Sequence, residues 1–184
     1  MEKNKYRLLL ACWLLLLIIG SDIYLSIGLL KMSLSCLIIF SGAVILQTKM
    51  SRKFFHVFAS LTIMIGYTAV LIWENHLPIK HFFPPALINS CFLYLLTVIM
   101  TTGLWNRLAC LLLGMAAGEL IYSLLIANYA ISDMIGDKRF LDSVLMIVAS
   151  IVCQDFILSL RQKISIRFQT SITKSKPLFR KRAQ

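Results

Sequence analysis

Residues 8–48 read LLLACWLLLLIIGSDIYLSIGLLKMSLSCLIIFSGAVILQT, a run of 41 residues whose only charges are Asp22 and Lys31. A helix that crosses a bilayer needs about 20 predominantly apolar residues, each rising about 1.5 Å. The run is therefore too long for one crossing. Both flanks are basic, with Lys3, Lys5 and Arg7 before it and Lys49, Arg52 and Lys53 after it. One crossing would put these clusters on opposite sides of the membrane, whereas two return the chain to its starting side. The run reads as a helical hairpin with spans at 7–25 and 30–48. Its turn falls either near Gly20-Ser21-Asp22 or near Gly28 to Lys31.

The rest of the chain repeats this alternation. Further spans are expected at 54–73, 86–105, 108–127 and 143–160, with a basic tail over 161–184. Pro78, Pro84 and Pro85 stop helix continuation between the third and fourth spans. Asn106-Arg107 makes a tight turn after the fourth span, and Gly136 a turn before the sixth. Trp73 and Trp105 fall where interfacial aromatic residues belong. If every second loop is cytoplasmic, 15 of the 19 Lys and Arg residues lie inside, and Lys31, Lys80, Lys138 and Arg139 lie outside. This positive-inside skew places both termini in the cytoplasm. The fold class is an all-α polytopic membrane protein with six transmembrane helices.

Composition narrows the function classes. A hydrophobic fraction of 59% and a mean hydropathy of +0.81 exceed those of a soluble domain. Six spans consume most of the 184 residues, which leaves no room for a soluble catalytic domain. The net charge of +11 is localised in loops and tail, as topology demands, so it is not read as a nucleic-acid signal. Residues 1–20 have the basic start and apolar core of a signal peptide without a convincing cleavage site, and read as an uncleaved first helix. The five cysteines sit singly in apolar segments and read as small buried hydrophobes. His76 and His81 flank Pro78 in a loop, in a spacing that matches no zinc pattern. No metal site and no cofactor is implied. The sequence contains no H-E-x-x-H, G-x-S-x-G, P-loop or dinucleotide-binding motif, so the reading is not an enzyme.

The polar residues inside the spans carry the remaining information. Glu119 stands near the middle of the fifth span, where a charge costs several kcal/mol or the group protonates instead. It must face protein or a wet cavity. Matching depths along neighbouring spans gives Thr62, Tyr94, Thr97 and Ser150 as its company. Either Glu119 is a proton, cation or substrate site, or it is a neutral acid that donates an interhelical hydrogen bond. Gly114 and Gly118 form a G-x-x-x-G, which lets two helix backbones approach closely. Packing against a neighbouring span is expected over homodimerisation. Asp155, near the end of the sixth span, is expected to snorkel toward the cytoplasmic interface or to pair with Arg107. His56 reads as interfacial. In the tail, Arg161, Lys163, Arg167, Arg180, Lys181 and Arg182 are interleaved with apolar residues and suit contact with anionic lipid headgroups at the cytoplasmic face.

The run LGMAAGELIYSLLI with the following IGDKRFLD resembles the corresponding region of the YphA family, small multi-pass membrane proteins of spore-forming Gram-positive bacteria. The similar residues are Gly118-Glu119 with Tyr122 and Ser123, then Ile135-Gly136-Asp137 and Phe140-Leu141-Asp142. The HFFPPALI segment before the fourth span is also similar. The resemblance covers about 70 residues, includes no catalytic motif, and implies a polytopic membrane protein without supplying a mechanism. The expectation is a structural or interaction protein of the bacterial cytoplasmic membrane, accompanied by a membrane-protein partner or a second copy of itself. The alternative is a small-solute transporter, or its substrate-binding subunit, using a midplane Glu119.

Overall fold

The computed structural model describes residues 2–27, 30–50, 53–76, 85–127 and 134–175. The body is a bundle of six helices: α1 (Glu2–Gly20), α2 (Leu34–Thr48), α3 (Lys53–His76), α4 (Pro85–Met100), α5 (Leu104–Ala127) and α6 (Lys138–Ser175). A three-stranded sheet closes one end, built from β1 (Tyr24–Ile27), β2 (Leu30–Ser33) and β3 (Met134–Ile135). β1 and β2 are antiparallel, with Tyr24 opposite Ser33 and Ile27 opposite Leu30. β3 joins β2 in parallel, with Lys31 opposite Met134 and Met32 opposite Ile135.

Several boundaries differ from the sequence reading. The first helix stops at Gly20 rather than at 25, and the second begins at Leu34 rather than at 30. Gly20-Ser21-Asp22 breaks the helical hydrogen bonding, and Ser21 turns its hydroxyl back onto the Ile18 carbonyl at 2.7 Å. The β-branched and aromatic residues that follow suit a pleated strand. Ser33 then caps α2, its Oγ accepting from the Cys36 N–H at 3.4 Å. The fourth helix ends at Met100, not at Trp105, and the turn lies at Thr101-Thr102-Gly103 instead of Asn106-Arg107. Gly103 has φ +87°, a left-handed conformation that glycine adopts without steric cost. Arg107 N–H already donates to the Gly103 carbonyl at 3.0 Å, which makes Asn106 and Arg107 part of the first turn of α5. The sixth helix runs from Lys138 to Ser175, so the segment read as a tail from 161 continues the helix.

Three of the described helices are long and apolar enough to cross a membrane: Lys53–Glu74, Leu104–Ala127 and Lys138–Arg161. Shorter apolar helices are Ala11–Gly20, Leu34–Thr48 and Leu87–Met100. α5 is the central helix. It packs most extensively on α3, then on α2, and also touches α6, α4 and β3. α1 packs chiefly on α2, where Trp13 occupies the space beside Gly42 and Ser35 donates to the Leu17 carbonyl at 2.8 Å.

Lipid tails are as apolar as leucine, so burial of apolar surface does not drive helices together inside a bilayer. Close packing and internal hydrogen bonds must do it. The core is built from Ile39, Ile63, Tyr67, Leu93, Leu111, Met115, Ile147 and Ile151, each below 2% exposed. Large apolar side chains such as Phe54, Phe58, Ile65, Leu145 and Phe156 point outward. Hydroxyls on the helices are mostly satisfied locally: Thr62, Thr97, Ser143 and Ser150 each donate to the carbonyl four residues earlier.

Candidate functional site

The site grows from the contact between α3 and α5. A Cβ at Gly114 would stand 2.7 Å from Ile63 Cγ2 and 2.9 Å from the Ser60 carbonyl oxygen. One at Gly118 would stand 2.8 Å from Tyr67 Cδ1 and 3.0 Å from the Met64 carbonyl oxygen. Both glycines face α3 within the same chain, and bare backbone there brings the two helices together. Thr68 Oγ reinforces the contact by donating to the Gly118 carbonyl at 3.2 Å.

The residue after Gly118 is Glu119, 8% exposed. The close approach delivers Tyr67 to it, and the Tyr67 hydroxyl donates to Oε2 at 2.8 Å. Phe140 at the start of α6 holds the Tyr67 ring edge-on, with centroids 6.4 Å apart. The other carboxyl oxygen, Oε1, accepts from the Gly136 N–H at 3.4 Å. Gly136 has φ +75°, and a Cβ there would collide with Ser33 Oγ and Cys36 Cβ. Its carbonyl accepts from Ser33 Oγ at 2.8 Å. Glu119 and Ser33 therefore hold the two backbone polar groups of one residue, Gly136. Together they tie α3, α5, the cap of α2 and the entry to α6 into one hydrogen-bonded knot beneath the sheet. One turn further along α5, Ser123 is 2% exposed and its hydroxyl has no hydrogen-bond partner among the described residues.

The depth-matched neighbours of Glu119 lie elsewhere. Thr62 and Thr97 bond within their own helices, to Phe58 and Leu93, and Ser150 bonds to Met146. Tyr94 lines a groove between α4 and α6. Of the partners it does have, Tyr67 carries no marker in the sequence, and Gly136 is marked only as a turn former. Glu119 accepts both of these hydrogen bonds.

Asp155 does not pair with Arg107. Arg107 is satisfied by the Thr101 carbonyl at 3.1 Å and by Gln154 Oε1 at 3.0 Å, one residue before Asp155 and therefore on a different face of α6. Asp155 is half-buried without a partner among the described residues. Asp22 forms an exposed ion pair with Lys138 at 3.8 Å. His56 is buried at 6% exposure, with Nδ1 3.7 Å from Cys110 Sγ. Ser60 donates to the His56 carbonyl at 2.6 Å and accepts from Gln47 Nε2 at 3.1 Å. Arg161 is exposed on α6. The side chains of Lys163 and Arg167, and all of Arg180, Lys181 and Arg182, lie outside the described residues, as does His81. Among the described residues no group of three or more His, Cys, Asp or Glu is placed to hold a metal ion.

The chain matches the family described as YphA-like integral membrane protein over residues 1–177. No curated protein and no solved structure matches it.

Proposed function

Because the chain belongs to the YphA-like integral membrane protein family, we propose that it serves as a non-enzymatic structural or interaction protein. Its place is the bacterial cytoplasmic membrane, crossed six times with both termini in the cytoplasm. The observation that carries this reading is the use made of Glu119. Its carboxyl oxygens accept from Tyr67 of α3 and from Gly136 at the entry to α6. A buried carboxyl committed to joining elements supports an architectural role. The 15-to-four division of basic residues supports the orientation. The partner is a membrane protein or a second copy of the chain, and the basic residues from Arg161 onward meet anionic headgroups. Nucleic acid is not a partner.

The competing reading is a small-solute carrier, or the substrate-binding subunit of one, that turns on Glu119. The Ser123 hydroxyl one turn away, without a partner among the described residues, favours it. Purification in mild detergent, followed by mass spectrometry of what co-purifies, separates the two. A stoichiometric protein partner supports the structural reading, and a bound metabolite supports the carrier.

A further inference from the structure

α4 and α6 lie side by side, and a groove of about 780 Å³ runs between them. On α6 it extends from Met146 to Arg161, about 22 Å at 1.5 Å per residue. That exceeds the roughly 15 Å half-thickness of a bilayer's hydrocarbon core. The volume lies within the range of about 300–1,000 Å³ typical of single-ligand sites. A helix about 10 Å across would need roughly 1,700 Å³ over the same length, so one would sit on this groove rather than in it.

The chemistry of the lining is one-sided. Ser90 is 7% exposed, lines the groove, and its hydroxyl has no partner among the described residues. It departs from the habit of Thr97, Ser143 and Ser150, which each donate to the backbone carbonyl four residues earlier in their own helix. The Tyr94 hydroxyl also lines the groove without a partner among the described residues. Gln154 gives its Oε1 to Arg107, which leaves its amide N–H groups to donate. Arg161 adds a guanidinium at the end remote from the sheet. These four groups offer donors, and no acidic side chain lines the groove. The matching ligand is apolar along its length, anionic at one end, and bears hydrogen-bond acceptors between.

We propose that the groove between α4 and α6 binds a single anionic glycerophospholipid, with its phosphate at Arg161, its ester carbonyls toward Gln154 and Tyr94, and one chain running toward Ser90. The donors at Arg161, Gln154 and Tyr94 and the apolar floor beyond them are what select it. The inference stands apart from the architectural role of Glu119, and its failure would leave that role untouched.

The test uses the full-length protein in mild detergent, stripped of lipid and then titrated with phosphatidylglycerol or phosphatidylcholine of identical chains. Native mass spectrometry reads lipid retention. One phosphatidylglycerol per chain is expected, preferred about tenfold over phosphatidylcholine, which corresponds to about 1.4 kcal/mol. Arg161→Glu should remove the preference, and Ala149→Trp, at an exposed position in the groove, should remove binding of both lipids. Alkylation of wild-type Cys153, an exposed lining residue, provides a readout that needs no variant. Phosphatidylglycerol should slow it while leaving exposed Cys12 on α1 unaffected. Equal retention of the two lipids, or unchanged Cys153 alkylation, would overturn the proposal. So would a lipid-free wild-type dimer that Ala149→Trp converts to monomer, which would give the groove to a second copy.

Discussion

Glu119 shows how far a single residue can be read. It is conspicuous in sequence as the acidic residue nearest the middle of a long apolar segment, and it is buried. Its partners were not legible, for a geometric reason. Glu119 lies fifteen residues beyond the observed start of α5 at Leu104, and fifteen residues beyond the start of α3 at Lys53 is Thr68, beside Tyr67. Placing the start of the fifth span at 108 lowered Glu119 by a turn and drew Thr62 into its expected company. Glu119→Gln keeps one acceptor oxygen but turns an amide NH2 toward the other donor, Tyr67 or Gly136, so it should cost about 1–3 kcal/mol in detergent thermal stability. A carrier would instead lose uptake with normal protein levels. Glu119→Leu should cost about 1–3 kcal/mol for each donor left without a partner, seen as a lowered melting temperature and reduced protein in the membrane. Gly136→Ala should destabilise by at least about 1–2 kcal/mol, because it meets a left-handed backbone penalty together with the collision at Ser33. If Gly136→Ala melts like the parent protein, the hold of Glu119 and Ser33 on that residue is not a stability determinant.

At the scale of elements, the need for a hairpin in residues 8–48 was legible, and its form was not. Both candidate turn regions are used. The chain leaves the helix at Gly20-Ser21-Asp22 and reverses between Ile27 and Leu30. Short apolar runs read equally well as strand or as buried helix, since periodicity alone does not separate them. The parallel partner β3 was further hidden because it is two residues long and about a hundred residues away. The register makes a specific prediction. In a background in which only the engineered cysteines react, Ser26→Cys with Lys31→Cys should cross-link under mild oxidation, because those residues face one another. Ser26→Cys with Ser33→Cys should not. The reverse result would mean the strands pair in another register. The break at Gly103 was missed for a related reason: Thr101 and Thr102 do not interrupt hydropathy, and only the backbone reveals the positive φ.

For the whole molecule, hydropathy and charge made the membrane class legible because both are sums over many residues, insensitive to errors of a turn at any one boundary. The orientation has a direct check. In intact cells treated with a membrane-impermeant maleimide, Ser26→Cys in β1 should react and Lys163→Cys on α6 should react only after permeabilisation. Labelling of Lys163→Cys in intact cells would invert the topology. The sheet itself bears on how the molecule is made. β2 is synthesised early, but its neighbour β3 and the Gly136 peptide that Ser33 holds come 103 residues later. At about 5–20 residues per second, the ribosome needs roughly 5–20 s to supply them. Throughout that interval the edge of β2 that β3 later occupies lacks its strand partner. Completion of the sheet therefore comes late in synthesis, and a chain truncated before Met134 is expected to turn over faster than the full chain in a pulse-chase measurement.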